Sequence, residues 1–266
     1  MSDHLSASLD TAAPHSARVW NYWLGGKDNF DADRQLGDQI RQFFPEIAVI
    51  AQESRRFLAR AVTYLAGEIG IRQFLDIGTG LPTADNTHEV AQRIAPDSRI
   101  VYVDNDPMVL VHARALLTST PEGATDYLQA DLRDPDTILR DAARTLDFSQ
   151  PIALMLLGIL AHITDYDQAR SIVDRLVAAL PSGSYLVVND GTNVLDPERR
   201  NAATQASIDA GTPYIARHPD TIAGYFHDLE LVEPGVVSST RWRAEPDENG
   251  KLPDEVDVFC GVGRKP

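Results

Sequence analysis

Phe74-Leu-Asp-Ile-Gly-Thr-Gly-Leu-Pro-Thr83 is the stretch that decides the fold. Gln73 to Ile77 reads as a buried strand that runs into a turn containing Gly78 and Gly80, and a helix is expected from about Asp85 to Ile94. Glycine has no Cβ, so a ligand can come close to such a turn and a positive φ is open to the backbone. The N–H groups at the start of the following helix lack partners within the helix and face the same ligand. Asp76 stands just before the first glycine. A carboxylate in that place repels a phosphate and favours a cation or an amine.

The second part of the pattern is Ile100-Val-Tyr-Val-Asp104-Asn105-Asp106-Pro107, an apolar strand that ends in an acid 26 residues after Gly78. In a βαβ unit the ends of the two strands lie side by side, where an acid can accept hydrogen bonds from both hydroxyls of a ribose. Asp104 is therefore the leading functional residue. The bland reading is a cap for the helix that Pro107 opens and that is expected to run to about Leu117, and Asp106 serves that role better. A third strand, Thr125 to Ala130, is followed by Asp131. Three successive strands ending in carboxylates are far more specific than a single G-x-G.

Outward from this centre, strands and helices alternate. A helix is expected over 136–144, a continuous apolar strand over Ile152 to Leu157, a helix from Asp167 to Ala179 and a strand from Ser184 to Asn189. Such alternation predicts a parallel sheet with helices on both faces. Residues 196–211 and 219–227 read as helical. Leu229 to Val237 is a strand broken by Pro234-Gly235, and Val256 to Val262 is the last strand, after a polar loop over 244–255. The two closing strands suit an antiparallel edge. The expected architecture is α/β: a Rossmann-like, doubly wound, seven-stranded sheet.

Ahead of the sheet, residues 1–14 are small and polar and read as a disordered tail. Three helices are expected next: His15 to Leu24, ended by Gly25-Gly26; Ala32 to Phe44, capped by Asp31 and broken by Pro45; and Glu46 to Ile69, closed by Gly70. Residues 15–70 thus form a helical cap on a main domain of residues 71–266, the two making one unit. The cap either packs passively on the sheet or acts as a lid.

The chain has 266 residues, a formal net charge of −15 and 43% hydrophobic residues. So acidic a surface repels phosphate backbones, and no nucleic acid is expected as a partner. Arg55, Arg56 and Arg60 are the one candidate basic cluster. A single cysteine, Cys260, forms no internal disulfide and suits a reducing compartment. No apolar run approaches the roughly 20 residues of a membrane span, and the N-terminus has no secretory pattern, so the expected location is cytoplasmic. Scattered His and Asp residues give metal binding no clear support. Homo-oligomeric assembly is open.

The triple signature LDIGTG, VYVDNDP and YLQADLRDP resembles the class I S-adenosylmethionine-dependent methyltransferases. The segment ARVWNYWLGGKDNFDADR resembles one actinobacterial subfamily long catalogued as a domain of unknown function. Pro82 departs from the pattern, standing where the motif has its third glycine. The resemblance covers nearly the whole chain and implies S-adenosylmethionine as cofactor. It places Asp76, Gly78, Thr79 and Gly80 around the cofactor's turn, Asp104 on its ribose, and Asn105 and Met108 beside its adenine. Asp131 is then a partner of the adenine amino group and Leu132 supplies a backbone N–H, although Asp131 also reads as a turn residue and Met108 as plain core. Leu157 and Gly158 pass the reactive methyl. A lid reading puts Tyr22, Gly26 and Arg56 near the amino-acid end, with Arg55 or Arg60 as the alternatives to Arg56.

His162 and Asp190 are the candidate bases. The unperturbed pKa of histidine lies near neutrality, but a histidine in an apolar loop also serves as a structural group. The expected reaction is methylation of a small molecule at oxygen or nitrogen. Its rivals are a nicotinamide-dependent oxidoreductase, which Asp76 and the missing third glycine disfavour, and a module that binds S-adenosylmethionine without transferring its methyl.

Overall fold

In the computed structural model, which describes residues 10–83, 85–109, 111 and 118–266, strand β1 (Gln73–Ile77) is buried at every position. Its neighbours are β2 (Arg99–Asp104) on one side and β4 (Ala153–Leu157) on the other, both parallel. Strand β3 (Ala124–Gln129) extends the parallel sheet beyond β2, and β5 (Tyr185–Gly191) extends it beyond β4. Strand β8 (Val258–Arg264) then runs antiparallel to β5 and carries β6 (Glu230–Leu231) and β7 (Val237–Ser238). The order is β3-β2-β1-β4-β5-β8-β6, with β7 also on β8. The expected strand over 229–237 is thus two short pieces, parted by Pro234-Gly235, which makes eight strands of the expected seven. The last strand lies two residues later than expected.

Alternation along the strands builds a separate core on each face. Leu75, Ile77, Val101, Leu154 and Val188 point to one side and meet α5 (Pro135–Ala142) and α6 (Tyr166–Ala178). Phe74, Ile100, Met155 and Val187 point to the other and meet α3 (Ile47–Thr63) and α4 (Thr87–Ile94). Helix α3 is therefore a layer of the main domain as well as part of the cap: Phe57 packs edge-on against the buried Trp242, with ring centroids 5.4 Å apart. A π-helical turn, Tyr64–Ile69, continues α3 to Gly70, whose φ of 87° ends it.

The rest of the cap is α1 (Ser16–Trp23), α2 (Asp31–Phe43) and the first turns of α3, which join α7 (Pro197–Asp209) in a third cluster around Val19, Leu36, Ile40, Ile50 and Ala203. Helix α2 begins at Asp31, so Asp31 does not cap it. Asp33 does: its fully buried carboxylate accepts the Phe30 N–H at 2.8 Å and the His15 N–H at 2.9 Å, with Arg18 Nε 3.3 Å away. One acid thereby fastens α1 to α2. Arg18 also donates to the carbonyls of Asp10 and Ala13, which ties residues 10–14 to the cap. Residues 1–9 of the expected tail lie outside the described residues, as do 110 and 112–117 of the helix that opens at Pro107.

Candidate functional site

The strand order reverses between β1 and β4, and ligands of open α/β sheets bind at the carboxyl ends beside such a switch. Gly78 and Gly80 follow β1 with φ of 77° and 63°, and Gly158 follows β4 with φ of 73°. A side chain at Gly78 would run into Ile159, whereas among the described residues, chain neighbours aside, no atom lies within 4 Å of where a Cβ on Gly80 would sit. Gly80 thus presents bare backbone to open space. Its N–H donates to Asp104 Oδ2 at 2.9 Å, and the Asp106 N–H donates to Asp104 Oδ1 at 3.0 Å. An ionised carboxylate has about four acceptor sites, so Asp104 keeps capacity for two more donors. Its burial raises its pKa, against the two N–H bonds that lower it. Asp106 is the helix cap, accepting the Met108 N–H at 2.9 Å, and its second oxygen lies 3.2 Å from His15 Nδ1.

Asp76 sits beneath the turn and accepts the Thr87 hydroxyl at 2.6 Å. Burial pushes its pKa up to about 6, although Thr87 and the nearby Arg55 favour the charged form. Arg55 donates to the Asp85 carbonyl at 2.9 Å, and Glu89 accepts the Asn86 N–H at 2.8 Å. Two carboxylates, Asp76 and Glu89, therefore attend the start of α4. That arrangement suits an amine or a sulfonium and opposes a pyrophosphate.

Beyond β4 a single 3-10 turn, Leu160–His162, brings in the histidine. His162 Nδ1 lies 2.8 Å from the Pro213 carbonyl oxygen. A carbonyl only accepts, so Nδ1 carries the proton and Nε2 is left as an acceptor. Burial lowers the His162 pKa and keeps the ring neutral. The ring stands edge-on to Tyr214, centroids 5.1 Å apart. Arg217 braces the turn by donating to the carbonyls of Leu160 and Ile163, and it lies 3.9 Å from Asp190.

These parts face one cleft, about 1320 Å³ with its open mouth included. Its floor is the strand ends at Gly78, Asp104, Gly158 and Asn189, and its roof is made by Trp20, Trp23, Ile40 and Ile50 with Arg200 of α7.

A model of the S-adenosyl methyltransferase family matches residues 2–266. The chain belongs to the S-adenosyl methyltransferase family. It is an S-adenosylmethionine-dependent methyltransferase, with S-adenosylmethionine as its cofactor. A DUF574 family protein from Streptomyces avermitilis MA-4680 is similar to this methyltransferase at 43% identity, over 97% of this chain and 99% of that one, with a TM-score of 0.92. A proposed methyltransferase from Thermobifida fusca YX is similar at 44% identity, over 97% of each chain, with a TM-score of 0.88. The N-methyltransferase NodS from Bradyrhizobium japonicum WM9, in complex with S-adenosyl-L-homocysteine, shares the fold at 16% identity over 94% of this chain and 99% of that one, with a TM-score of 0.50. No functionally curated protein matches the chain. Among the described residues, no helix is long and apolar enough to cross a membrane.

Of the residues expected at the site, Asp76, Gly78, Thr79, Gly80, Asp104, Asn105, Leu157, Gly158 and His162 line the methyltransferase's cleft. The others stand elsewhere. Tyr22 donates to Asp38 at 2.7 Å on the outer side of the cap, because Trp20 and Trp23, three apart, hold the inner face of α1. Gly26 is packed against Asn21, where a Cβ would collide. Arg56 is exposed and paired with Glu53, while Arg55, one position and about 100° earlier on the helix, faces the cleft. Met108 packs with Leu81 and Val109, and Leu132 lies in the sheet core. Asp131 is half-exposed and accepts the Arg133 N–H at 2.8 Å, as a turn aspartate does. Asp190 is buried behind Tyr214 rather than in the cleft. His15, Trp20, Arg200 and Tyr214 line the cleft without having been singled out in the sequence. The i, i+3 spacing of Trp20 and Trp23 is the signal that could have found the cleft-facing side of α1.

Proposed function

We propose that the enzyme methylates an oxygen or nitrogen atom of a small molecule held between the glycine turn and the helical cap, with His162 as general base. The observation that carries this reading is the His162 ring, its proton committed to Pro213 and its other nitrogen left as an acceptor, in the same cleft as Asp104. The acidic net charge and the roofed cleft both favour a small acceptor over a nucleic acid.

The residues present fit S-adenosylmethionine. Asp104 offers its remaining lone pairs to the ribose hydroxyls, bare backbone at Gly80 allows close approach, and Asp76 with Arg55 answers the amine and carboxylate of the amino-acid end. Asn105 lies on the adenine side. When bound, the cofactor supplies an electrophilic methyl group. His162 Nε2 accepts the acceptor's proton, and the cap excludes water from the cleft. Tyr214 and the Arg217 brace hold the imidazole in place. Aligning donor and acceptor supplies much of the acceleration in such reactions.

Release of S-adenosylhomocysteine from S-adenosylmethionine and a panel of hydroxyl- and amine-bearing metabolites tests the reading. With an active acceptor, His162→Phe is expected to lower kcat by about 10²–10⁴-fold at unchanged S-adenosylhomocysteine affinity. The wild-type rate is expected to fall only below the ordinary histidine range, because burial lowers this pKa. An unaltered kcat in the variant removes His162 as base, and no turnover with any acceptor favours a module that binds without transferring.

A further inference from the structure

Two arginines line the cleft, and they belong to different ends of it. Arg55 stands by Asp76 at the end of β1, where the reading above puts the cofactor's amino-acid end. Arg200 reaches from α7 to the end of β5, beyond the intervening β4. At about 4.8 Å per strand, the two strand ends are roughly 10 Å apart. Arg200 therefore sits beyond the methyl-transfer position, on the acceptor's side.

Arg200 is a costly residue to keep there. It is only 4% exposed, its Nε has no hydrogen-bond partner among the described residues, and burial works against its charge. Two acids act on it from a distance, and among the described residues neither forms an ion pair with it. Asp190 lies 3.9 Å from Arg217, and Asp257 accepts the Thr192 hydroxyl and the N–H groups of Val194, Leu195 and Asp196. Two aromatic side chains hold the guanidinium: its Cζ lies 5.2 Å from the Phe44 ring centroid and 5.3 Å from that of Tyr214, whose side chain also favours its charge through a hydrogen bond. Gly191 makes the room, since a Cβ there would collide with Arg200 Nη2. A buried cation with no ionic partner among the described residues, in a chamber roofed by Trp20, Trp23, Leu36, Ile40 and Ile50, is matched by an anion on an otherwise apolar ligand.

The spacing suits one molecule that reaches both Arg200 and the base. The His162 ring lies 5.1 Å and the Arg200 Cζ 5.3 Å from the same Tyr214 centroid, so they are at most about 10.4 Å apart. One or two fused aromatic rings span a gap within that limit. We propose that the acceptor is an aromatic carboxylate, whose carboxylate pairs with Arg200 while the group to be methylated faces His162. Guanidinium and carboxylate match as two parallel hydrogen bonds, which also fixes the acceptor's orientation. The proposal rests on the reading of this cleft as the shared site of cofactor and acceptor.

The test titrates the full chain, saturated with S-adenosylhomocysteine, with matched acid and amide probes: benzoate and benzamide, 2-naphthoate and 2-naphthamide, indole-3-carboxylate and its carboxamide. Calorimetry, or quenching of the cleft tryptophans, reads the affinity. In at least one pair the acid is expected to bind at least tenfold tighter. Arg200→Gln should abolish that preference and Arg200→Lys should retain part of it, both leaving S-adenosylhomocysteine affinity within about twofold. The wild-type comparison decides alone if the variants do not fold. No acid preference in any pair, a preference that survives in Arg200→Gln, or a tenfold loss of S-adenosylhomocysteine affinity in that variant would overturn the proposal. Failure of the wild type to bind S-adenosylhomocysteine would be a different result, removing the cleft as the cofactor's site.

Discussion

The Gly80 N–H and the Asp104 carboxylate meet at 2.9 Å across 24 positions of sequence, joining the turn after β1 to the end of β2. One acid thus shapes the glycine turn and faces the cleft. Asp104→Ala is expected to weaken S-adenosylhomocysteine binding by about 1.5–3 kcal/mol, the usual worth of hydrogen bonds to a charged acceptor. The circular dichroism spectrum should not change, because Asp104 ends its strand and no core side chain depends on it. Calorimetry on the variant measures this. Unchanged affinity would leave Asp104 with the turn alone.

Gly26 separates two accounts of the segment before α2. Asn21 accepts the Asp28 N–H at 3.1 Å and the Asn29 side-chain N–H at 2.9 Å, and Gly26 lies where a Cβ would drive Asn21 out of that network. Gly26→Ala is expected to cost about 1–3 kcal/mol of stability, as overpacking does, with S-adenosylhomocysteine affinity nearly unchanged. Denaturant unfolding and calorimetry read the two quantities. Full stability with lost affinity would instead place Gly26 against the ligand. Hydrogen exchange over residues 18–30, with and without S-adenosylhomocysteine, reports whether the segment closes as a lid.

Asp190 sets a pH dependence. Burial raises its pKa to about 7, although Arg217 favours the charged form. A raised carboxylate pKa means that the folded state holds the proton more tightly than the unfolded one. The stabilising contribution is complete below the unfolded value near 3.9 and is lost as pH rises through about 7. Asp190→Asn mimics the protonated form at every pH. Between pH 5 and pH 8 the variant should therefore gain on the order of 2 kcal/mol of stability relative to the wild type. Urea unfolding at both pH values measures the difference. A constant gap would show that Asp190 stays ionised throughout.

The sheet and its ligand-binding end were legible in sequence because they rest on local patterns. An apolar run followed by Gly78 and Gly80, and a second run closed by Asp104, specify strand, turn and partner strand within about one βαβ unit. Those residues line the cleft for the same reason, since strand ends converge wherever parallel strands pair. The acceptor's side was hidden. Arg200 reads as one of two adjacent arginines on a polar helix, and its burial comes from Phe44, Tyr214 and Gly191, each remote in sequence. Arg55 and Arg56 differ only by a step of about 100° around α3, so the face that meets the cleft depends on how the helix docks on the sheet. Asp190 stands next to last in β5, much as Asp104 closes β2, yet Tyr214 stands between it and the cleft. Local periodicity determined the fold and the glycine turn, while long-range packing decided which charges were buried, paired or left facing a ligand.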